Sequence, residues 1–228
     1  MKRQVRPELL DTLSPEDPQA VRSRRDLRRI NWWMRNHTIM AQVLRENLSS
    51  TPGKITELGA GDGNFMLRLA KKLSAYWREV NVRLLDQQNN FSPETLTAFA
   101  ALEWRAETIV ADATRWTPPA DRDAVIVANL FLHHFEDSQL SGLLQKISQN
   151  TNLFVAVDPH RFAAPALVGQ LLWLIGCNHV TRHDAVVSIR AGFFGQKISA
   201  LWPDKANWEL TERRAGWFSH LFVARRRQ

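Results

Sequence analysis

The sequence is poor in cysteine, since its 228 residues include only Cys177. A single cysteine excludes an intrachain disulfide framework and any metal site built from several cysteines. A long apolar run is also missing: the longest, residues 162–177, contains Pro165 and Gln170 and is too short for a membrane-spanning helix. No apolar run follows the charged N-terminus either. We therefore expect no secretory signal and predict a cytoplasmic location.

The composition is that of one globular domain with a basic balance. Hydrophobic residues make up 44% and charged residues 23% of the chain, which is typical of a soluble protein with a substantial core. The net charge of +7 has two local sources, an arginine cluster within residues 22–29 and the C-terminal residues 225–227. Such clusters can bind nucleic acid or an anionic membrane, but a solvated helix face and a frayed tail explain them as well.

The order of apolar runs predicts an N-terminal helical extension followed by alternating strands and helices. Residues 1–17 are predicted to be a flexible lead-in because prolines and acidic residues punctuate them, and two helices are predicted at 19–30 and 31–48. The strands and helices that follow are predicted, in order, at 54–58, 64–77, 80–85, 93–102, 108–111, 123–128, 138–149 and 153–157. This β-α-β alternation predicts a parallel sheet with helices on both faces.

The last part of the chain breaks this alternation. The predicted elements are helices at 163–176, 182–190 and 197–202, then β-runs at 208–213 and 219–225. The two β-runs are too close together for a crossover helix, so they should pair antiparallel. We therefore predict a mostly parallel α/β sheet with one antiparallel strand, an N-terminal helical lid at residues 1–50, and one domain at 51–228 with a helical insertion at about 162–202.

A glycine-rich turn after the first predicted strand organises the rest of the chain. Glu57 ends the strand, and Gly59, Gly61 and Gly63 follow before the next helix begins. Glycine suits a turn in which φ is positive or a ligand approaches the backbone closely. The free N–H groups at the start of the helix point back toward the turn. A glycine pattern alone is nevertheless weak support for a ligand site.

Polar residues at neighbouring strand ends strengthen this interpretation. Ligands of open α/β sheets bind beyond the carboxyl ends of the strands, where the sequence has Asp86, Asp112, Asn129 and Asp158. Asp86 follows the last glycine of the turn by 23 residues, near the distance expected for a carboxylate that binds ribose hydroxyls. A nucleoside-containing ligand is therefore indicated, although Asp86 taken alone could equally be a turn former.

Two missing motifs narrow the choice of nucleoside. Asn64 stands where a dinucleotide-binding turn needs glycine, and no Gly-Lys-Ser/Thr sequence is present to bind a triphosphate. The turn Glu-Leu-Gly-Ala-Gly-Asp-Gly, the acid Asp86, the triplet Ala-Asp-Ala at 111–113 and the segment 123–137 resemble instead the class I S-adenosylmethionine-dependent methyltransferases. The resemblance runs from about Lys54 to the C-terminus. It implies a Rossmann-like, seven-stranded sheet and S-adenosyl-L-methionine as the cofactor.

The resemblance also implies which residues hold the cofactor. They are Glu57, Gly59, Ala60, Gly61 and Gly63 under its methionine and ribose, Asp86 at the ribose hydroxyls, Gln87, Asp112 and Ala113 beside the adenine, and Asn129 and Leu130 at its methionine end. One departure from the family is Gln87-Gln88, where small or apolar residues are common. The adenine contact of this chain therefore stays open.

The expected reaction requires a positioned acceptor more than it requires covalent help from the protein. A sulfonium methyl group is already activated, so the protein has to hold the acceptor in line and exclude water. A phenol or carboxyl acceptor also has to lose a proton, and histidine is the usual base near neutral pH. His133 and His134, after strand four, and His160, after strand five, are the predicted catalytic residues. Hydrogen bonding within their own loops is the alternative for each, and no metal is expected.

The acceptor is predicted to bind between the N-terminal helices and the insertion at 162–202. Arg161 could bind an acidic group, Trp33 belongs to an apolar wall, and Arg182 and His183 lie where the resembled family often builds its acceptor pocket. The large apolar residues of both regions suit an aromatic or lipid-like small molecule, with oxygen as the expected methyl acceptor. Residues 22–31 and 180–193 look similar to bacterial methyltransferases associated with polyketide or phenolic-lipid pathways.

Two other functions stay open. An RNA or protein methyltransferase could dock its target through the basic N-terminal helix, although no Asn-Pro-Pro-Tyr motif follows strand four. A non-catalytic protein that binds the cofactor or a metabolite would have the same glycine turn. For the preferred function we expect a small-molecule acceptor, no nucleic acid, a peripheral contact with membrane or lipid-like molecules, and a monomer or homodimer.

Overall fold

The computed structural model of the protein describes residues 2–14, 16–116 and 125–227. These residues form seven strands and nine α-helices. The strands are β1 (Lys54–Leu58), β2 (Asn81–Asp86), β3 (Arg105–Val110), β4 (Val125–Asn129), β5 (Leu153–Pro159), β6 (Trp208–Ala215) and β7 (Ser219–Arg226). The helices are α1 (Leu9–Thr12), α2 (Pro18–Met34), α3 (Asn36–Asn47), α4 (Asn64–Leu73), α5 (Pro93–Ala100), α6 (Asp137–Asn150), α7 (Pro165–Leu174), α8 (His179–Ala191) and α9 (Lys197–Leu201). Asp123 and Ala124, with which the fourth strand was predicted to begin, lie outside the described residues.

The strands form a single sheet in the order β3-β2-β1-β4-β5-β7-β6. Strands β1 to β5 pair in parallel, whereas β7 pairs antiparallel with both β5 and β6. The link between β6 and β7 spans only residues 216–218, so the chain has to reverse direction there. The predicted mostly parallel, Rossmann-like sheet with one antiparallel strand is confirmed.

The core lies on both faces of the sheet because side chains alternate along each strand. On one face Ile55, Val127 and Val155 pack with α3 and α4, which contribute Met40 and Met66. On the other face Leu58, Ile126 and Phe154 pack with Leu144 of α6 and Ile198 of α9. Each fully buried apolar side chain of this size contributes about 1.5–3 kcal/mol. The carboxyl ends of β1, β2, β4 and β5 are thereby fixed at one edge of the sheet.

The N-terminal segment is not the flexible lead-in predicted from its prolines and acids. Arg3 donates to the carbonyl oxygens of Ala191 at 2.7 Å and His133 at 3.1 Å. The buried carboxylate of Asp184 accepts hydrogen bonds from the backbone N–H groups of Leu9 and Leu10 at 2.8 and 3.0 Å. These partners are more than a hundred residues away in the sequence, so no local pattern indicated them.

The break between the two N-terminal helices lies four residues later than predicted. Helix α2 ends at Met34, and Arg35 has a left-handed backbone with φ of 54° before α3 begins. No glycine or proline marks the break, which is why the sequence did not locate it. The consequence is that Asn36 starts α3 with a fully buried side chain.

Helix α7 is shorter than the predicted helix at 163–176 and spans ten residues. Among the described residues, no helix is both long and apolar enough to span a membrane. Most of the other boundaries differ from the prediction by one to three residues, which is the usual scatter of helix and strand ends.

Candidate functional site

The glycine turn after β1 is held by backbone hydrogen bonds to the neighbouring strand. Gly59 and Ala60 both donate to the carbonyl oxygen of Leu85, at 2.9 and 3.0 Å. Gly59, Gly61 and Gly63 all have positive φ values of 71°, 56° and 76°, which only glycine adopts at little cost. A Cβ on Gly59 would lie 2.2 Å from the Phe131 ring, whereas a Cβ on Gly61 would meet nothing within 4 Å. The backbone is therefore bare and open at Gly61.

Two carboxylates lie beside this open turn. The side chain of Asp86, at the end of β2, accepts a hydrogen bond from Gly61 N–H at 2.8 Å and another from Gln88 N–H at 2.9 Å. Glu57, at the end of β1, is buried, and its Oε2 has no hydrogen-bond partner among the described residues. Burial raises the pKa of Glu57 well above its usual value, and the nearby charges of Asp62 and Asp86 raise it further. A buried carboxyl oxygen without a hydrogen bond is costly, so this atom is suited to bind a polar ligand.

The end of β3 borders the same edge. The carboxylate of Asp112 accepts hydrogen bonds from the backbone N–H and the hydroxyl of Thr114, at 2.8 and 2.7 Å. These bonds keep the pKa of Asp112 below its usual value, and a hydrogen bond with Gln87 acts in the same direction. Ala113 is buried, while Gln87 is exposed. The three residues predicted beside the adenine therefore lie together, and Gln87 is joined to Asp112.

The end of β4 is tied to the N-terminal helices by a buried amide network. The Nδ2 of Asn36 donates to the Oδ1 of Asn129 at 2.9 Å, and the hydroxyl of Ser219 donates to the Oδ1 of Asn36 at 2.7 Å. Leu130 follows with a positive φ of 52°, and its N–H donates to the carbonyl oxygen of Val157 at 2.8 Å. A left-handed leucine stores strain of about 1–3 kcal/mol and often marks a functional position. Asn36 and Ser219 were not predicted from the sequence.

His133 is buried between two carboxylates. Its Nδ1 lies 2.8 Å from Oδ1 of Asp158, which is fully buried, and its Nε2 lies 3.6 Å from Oε1 of Glu8. Burial alone would lower the pKa of His133, but the hydrogen bonds to Asp158 and Glu8 raise it to about 9. Burial likewise opposes ionisation of Glu8, yet its bond to His133 lowers the pKa of Glu8 to about 2. Near neutral pH this is an ion pair, so His133 has no lone pair with which to accept a proton.

His134 has the opposite charge state. Its ring centroid lies 4.1 Å from that of His133. Desolvation of the ring and the positive charge of His133 lower the pKa of His134 to about 4, although part of the residue is exposed. His134 is therefore neutral near pH 7.

Glu8, His133 and His134 form a group whose ligand atoms all lie within 4.8 Å of one another. Such a group can coordinate a cation when its histidines are neutral. Without a metal, His133 is an imidazolium beside the carboxylates of Glu8 and Asp158, and an imidazolium offers no lone pair to a metal until it loses a proton.

A second histidine, beyond β5, ends a chain of three polar side chains. The Nδ1 of His160 lies 3.4 Å from Nδ1 of His220, and the Nε2 of His220 lies 2.8 Å from Oε1 of Glu212. Glu212 also accepts from the backbone N–H groups of Ile198 and Ser199, at 3.0 and 2.7 Å. Burial and the charges of His220 and two arginines lower the pKa of His160. We call this the Glu212–His220–His160 chain.

The sequence did not indicate Glu212 or His220 as site residues. They lie on β6 and β7, where the register pairs Arg214 with His220 and Glu212 with Phe222. Glu212 and His220 are thus diagonal neighbours on one face of the hairpin, within reach of each other. Both side chains follow the two-residue period of their strands. That period predicts their contact only when the pairing of β6 with β7 is known.

Arg161 and several aromatic rings surround the end of the Glu212–His220–His160 chain. The Nη1 of Arg161 is buried and has no hydrogen-bond partner among the described residues. The ring of Phe194 lies 5.8 Å from that of His160, and Phe162 lies 6.5 Å from Phe218. This guanidinium nitrogen suits an anionic group of a ligand, and the rings near His160 and Phe162 suit the apolar part of an aromatic or long-chain ligand.

The other predicted acceptor residues are not brought to this rim by any described contact. Trp33 is 55% exposed at the end of α2. Arg182 donates to the carbonyl oxygen of Asn178 at 3.3 Å, and His183 lies 2.9 Å from Asp184. Arg182 and His183 therefore make contacts within α8 and at its start.

Comparison with known proteins identifies the domain. Residues 55–152 match the family of domains described as "Methyltransferase domain". No curated protein sequence matches the chain.

Solved structures with this fold cover most of the chain. The plantazolicin methyltransferase BpumL in complex with SAH has 15% sequence identity and a TM-score of 0.65, over 93% of this chain and 92% of that one. The mitomycin 7-O-methyltransferase MmcR has 18% identity and a TM-score of 0.58, over 96% of this chain and 60% of that one. The magnesium protoporphyrin IX methyltransferase ChlM from Synechocystis PCC 6803, with bound SAH, has 11% identity and a TM-score of 0.55, over 85% and 83%.

At these identities the shared property is the fold. Residues 55–152 match a methyltransferase domain, and the fold is that of the class I S-adenosylmethionine-dependent methyltransferases, so both agree with the resemblance found in the sequence.

Proposed function

We propose that this chain, with the domain and fold of a class I S-adenosylmethionine-dependent methyltransferase, transfers the methyl group of S-adenosyl-L-methionine to a small molecule. The proposed acceptor atom is an oxygen of an aromatic, polyketide-derived or lipid-like compound. The observation that carries the proposal is the open glycine turn beside a buried carboxyl oxygen of Glu57 that has no partner in the described part of the chain.

The residues at the turn fit S-adenosyl-L-methionine. Glu57 offers a buried carboxyl group to a cationic ligand, and the bare backbone at Gly61 leaves space for it. The two oxygens of Asp86 each accept one hydrogen bond and keep lone pairs for ribose hydroxyls. We assign the adenine side to Gln87, Asp112 and Ala113 and the methionine side to Ala60, Asn129 and Leu130, with Gly59 and Gly63 shaping the turn.

Bound S-adenosyl-L-methionine supplies a methyl group that is already activated by its sulfonium. The chain then has to orient an oxygen nucleophile, keep water away and accept a proton. We assign the proton to His160, since burial, His220 and the charges of Arg214 and Arg161 lower its pKa and keep it neutral near pH 7. Glu212 and His220 act as positioning residues for His160. His134, also neutral, is the alternative base.

His133 receives a different role from the catalytic one expected from the sequence. Its pKa of about 9 makes it an imidazolium near neutral pH, which cannot act as a base. We propose that it positions the loop after β4, because the Asp158 carboxylate that it bonds also accepts from the backbone N–H of His133 at 3.1 Å.

We propose that the acceptor binds beside one cationic side chain and several aromatic rings. Arg161 would bind an anionic group of the acceptor, and Phe162, Phe194 and Phe218 would contact its apolar part. Residues 1–50 would form a lid that includes Trp33, while Arg182 and His183 would support the insertion from α8. The names of the similar structures support a small molecule, since they include a plantazolicin and a mitomycin methyltransferase.

In the alternative that the basic helix docks RNA or protein, its arginines would have to serve the target as well as contacts inside the chain. Arg22 and Arg29 donate to carbonyl oxygens of the chain itself, and Arg28 lies 3.4 Å from Asp62 in the glycine turn. These arginines are partly occupied in holding α2 against the domain. A cytoplasmic location and a monomeric or homodimeric state stay predictions.

Two measurements test the proposal. Calorimetric titration with S-adenosyl-L-methionine should give binding that Asp86→Ala weakens at least tenfold, with Asp204→Ala, on a distant turn, as the matched control. Labelled S-adenosyl-L-methionine incubated with the protein and a fractionated cell extract should then label a small molecule, identified by mass spectrometry. Label in RNA or protein would favour the alternative, and binding without transfer to any acceptor would favour a non-catalytic role.

A further inference from the structure

Helix α7 exposes an unusually apolar face. Leu167, Leu171, Trp173 and Leu174 are between 57% and 69% exposed, and residues 162–177 contain no charged side chain. Leu167, Leu171 and Leu174 follow one another at helical spacings of four and three, so they share one side of the helix. Contiguous apolar surface of this kind on a folded domain marks an interaction site.

An arginine edge of α2 lies beside the end of this helix. Arg22 and Arg29 donate to the carbonyl oxygens of Gly176 and Ile175, at 3.1 and 3.2 Å. Arg25 lies between them on the same side of α2 by helical spacing and is exposed. The only acid of α2 and α7 is Asp26, which is buried. The apolar face is thus bordered by cations without an exposed carboxylate on either helix.

The other end of α7 reaches the acceptor rim. Phe162, three residues before α7 begins, contacts Phe218, and the adjacent Trp217 is 79% exposed. His160 and Arg161 come immediately before Phe162. The apolar surface therefore runs from the arginine edge to the rim at which we propose that the acceptor binds.

We propose that this surface, formed by the exposed face of α7, Trp217 and the arginine edge at Arg22, Arg25 and Arg29, docks onto an anionic phospholipid bilayer. Helix α7 lies in the plane of the interface, because ten residues are too few to cross it. Its leucines and Trp173 enter the boundary between headgroups and acyl chains, where tryptophan is favoured. The arginines meet the lipid phosphates, and each basic residue near such a surface contributes about 1 kcal/mol.

Charge selects this partner over a second copy of the chain. Two copies that met through this surface would bring two sets of arginines together with no exposed acid from α2 or α7 to balance them. An anionic bilayer supplies both the apolar volume and the negative charge. Docking there would present the acceptor rim to molecules dissolved in the membrane.

The test is co-sedimentation of the purified full-length protein with two kinds of vesicle. One kind is phosphatidylcholine with 30% phosphatidylglycerol by mole, about one lipid in three, and the other is phosphatidylcholine alone. We expect at least tenfold tighter binding to the anionic vesicles, falling as salt rises because the arginine term is screened. The assay needs neither cofactor nor acceptor, so its outcome is independent of the proposed methyl transfer.

Matched variants assign the binding to the surface. Leu171→Ser with Leu174→Ser, and separately Arg22→Gln with Arg25→Gln, should each weaken binding to anionic vesicles about tenfold or more. Val110→Ser on β3 and Arg78→Gln are controls, since these exposed residues lie outside the surface. A far-UV circular dichroism spectrum and a thermal unfolding midpoint equal to those of the parent protein would show that each variant is folded.

Three outcomes would overturn the proposal. The first is no binding of the parent protein to either vesicle. The second is equal binding by the surface variants and the controls. The third is a dimer of the parent protein in solution that the leucine variants convert to a monomer, which would assign the face to a second copy instead.

Discussion

The Nδ1 of His133 lies 2.8 Å from the Oδ1 of Asp158, with both residues buried. Glu8 lies on the other side of the same ring. It belongs to the N-terminal segment, which also contacts Ser188 of α8 and the carbonyl oxygen of His133 after β4. This relationship decides the charge state of the site. It makes His133 a cation near neutral pH, and the charge of His133 helps to keep His134 neutral.

The ion pair of Glu8 with His133 should give a pH-dependent stability. The pKa of Glu8 falls from 4.5 to about 2, so its contribution is complete above pH 4.5 and is lost as the pH falls through 2. The pKa of His133 rises from 6.5 to about 9, so its contribution is complete below pH 6.5 and is lost as the pH rises through 9. Glu8→Gln should therefore cost most between pH 4.5 and 6.5, about 1–3 kcal/mol. Urea unfolding at pH 5.5, 7.5 and 9 measures this, with exposed Glu16→Gln as control, and a cost that does not shrink toward pH 9 would contradict it.

Removal of the proposed base should lower the rate of methyl transfer. His160→Ala should reduce kcat by about 10²–10⁴-fold on the acceptor found by labelling, with binding of S-adenosyl-L-methionine unchanged. His220→Phe should act through His160, because it removes one of the groups that lower the pKa of His160. The acid limb of the pH profile of kcat/KM should then move to higher pH. Full activity of His160→Ala would contradict this assignment and favour His134 as the base.

The buried carboxyl group of Glu57 should lower the stability of the fold and strengthen the binding of S-adenosyl-L-methionine. Burial raises its pKa well above the usual value, so ionisation of Glu57 in the free protein destabilises the fold. Glu57→Gln should keep or raise Tm while it weakens binding of S-adenosyl-L-methionine at least tenfold. Calorimetry in buffers of different ionisation enthalpy should also detect a proton released when the cationic ligand binds the parent protein. The absence of that release would indicate that Glu57 does not contact the ligand's charge.

Alanine substitutions at Gly59 and Gly61 should have different effects on stability. Gly59→Ala would put a Cβ 2.2 Å from the Phe131 ring at a φ of 71°, so it should lower the free energy of unfolding by about 1–3 kcal/mol. Gly61→Ala meets no atom within 4 Å and should cost less stability, about 1 kcal/mol for its positive φ. It should nevertheless weaken binding of S-adenosyl-L-methionine, because its methyl group fills the space over the turn. Equal loss of stability by both variants would contradict this distinction.

The buried amide network should join the N-terminal helices to the end of β4. Asn36→Ala leaves Asn129 Oδ1 and the Ser219 hydroxyl without partners, which should cost about 1–3 kcal/mol. Gln42→Ala, on the exposed side of the same helix, is the control. Amide hydrogen exchange would show whether the loss of stability is confined to β4 and α3. Protection of these two elements equal to that in the parent protein would contradict the role of the network.

The sequence predicted the fold and the cofactor side of the site because both depend on local patterns. Alternation of strands and helices fixes which strands can be parallel, and the short link after β6 fixes the antiparallel one. Glu57, Asp86, Asp112 and Asn129 end strands that the alternation already aligned, so their proximity followed from the order of elements.

Only the tertiary structure decided the acceptor side. Glu8, Asn36, Glu212 and His220 come from the N-terminal segment and the last hairpin, and their partners lie across long stretches of sequence or depend on strand register. The charge states of His133 and His160 depend in turn on those partners, since burial and neighbouring charge set a pKa and neither can be read from residue order. The sequence by itself therefore determined where a nucleoside cofactor would bind, and three-dimensional packing determined which histidine is free to accept a proton.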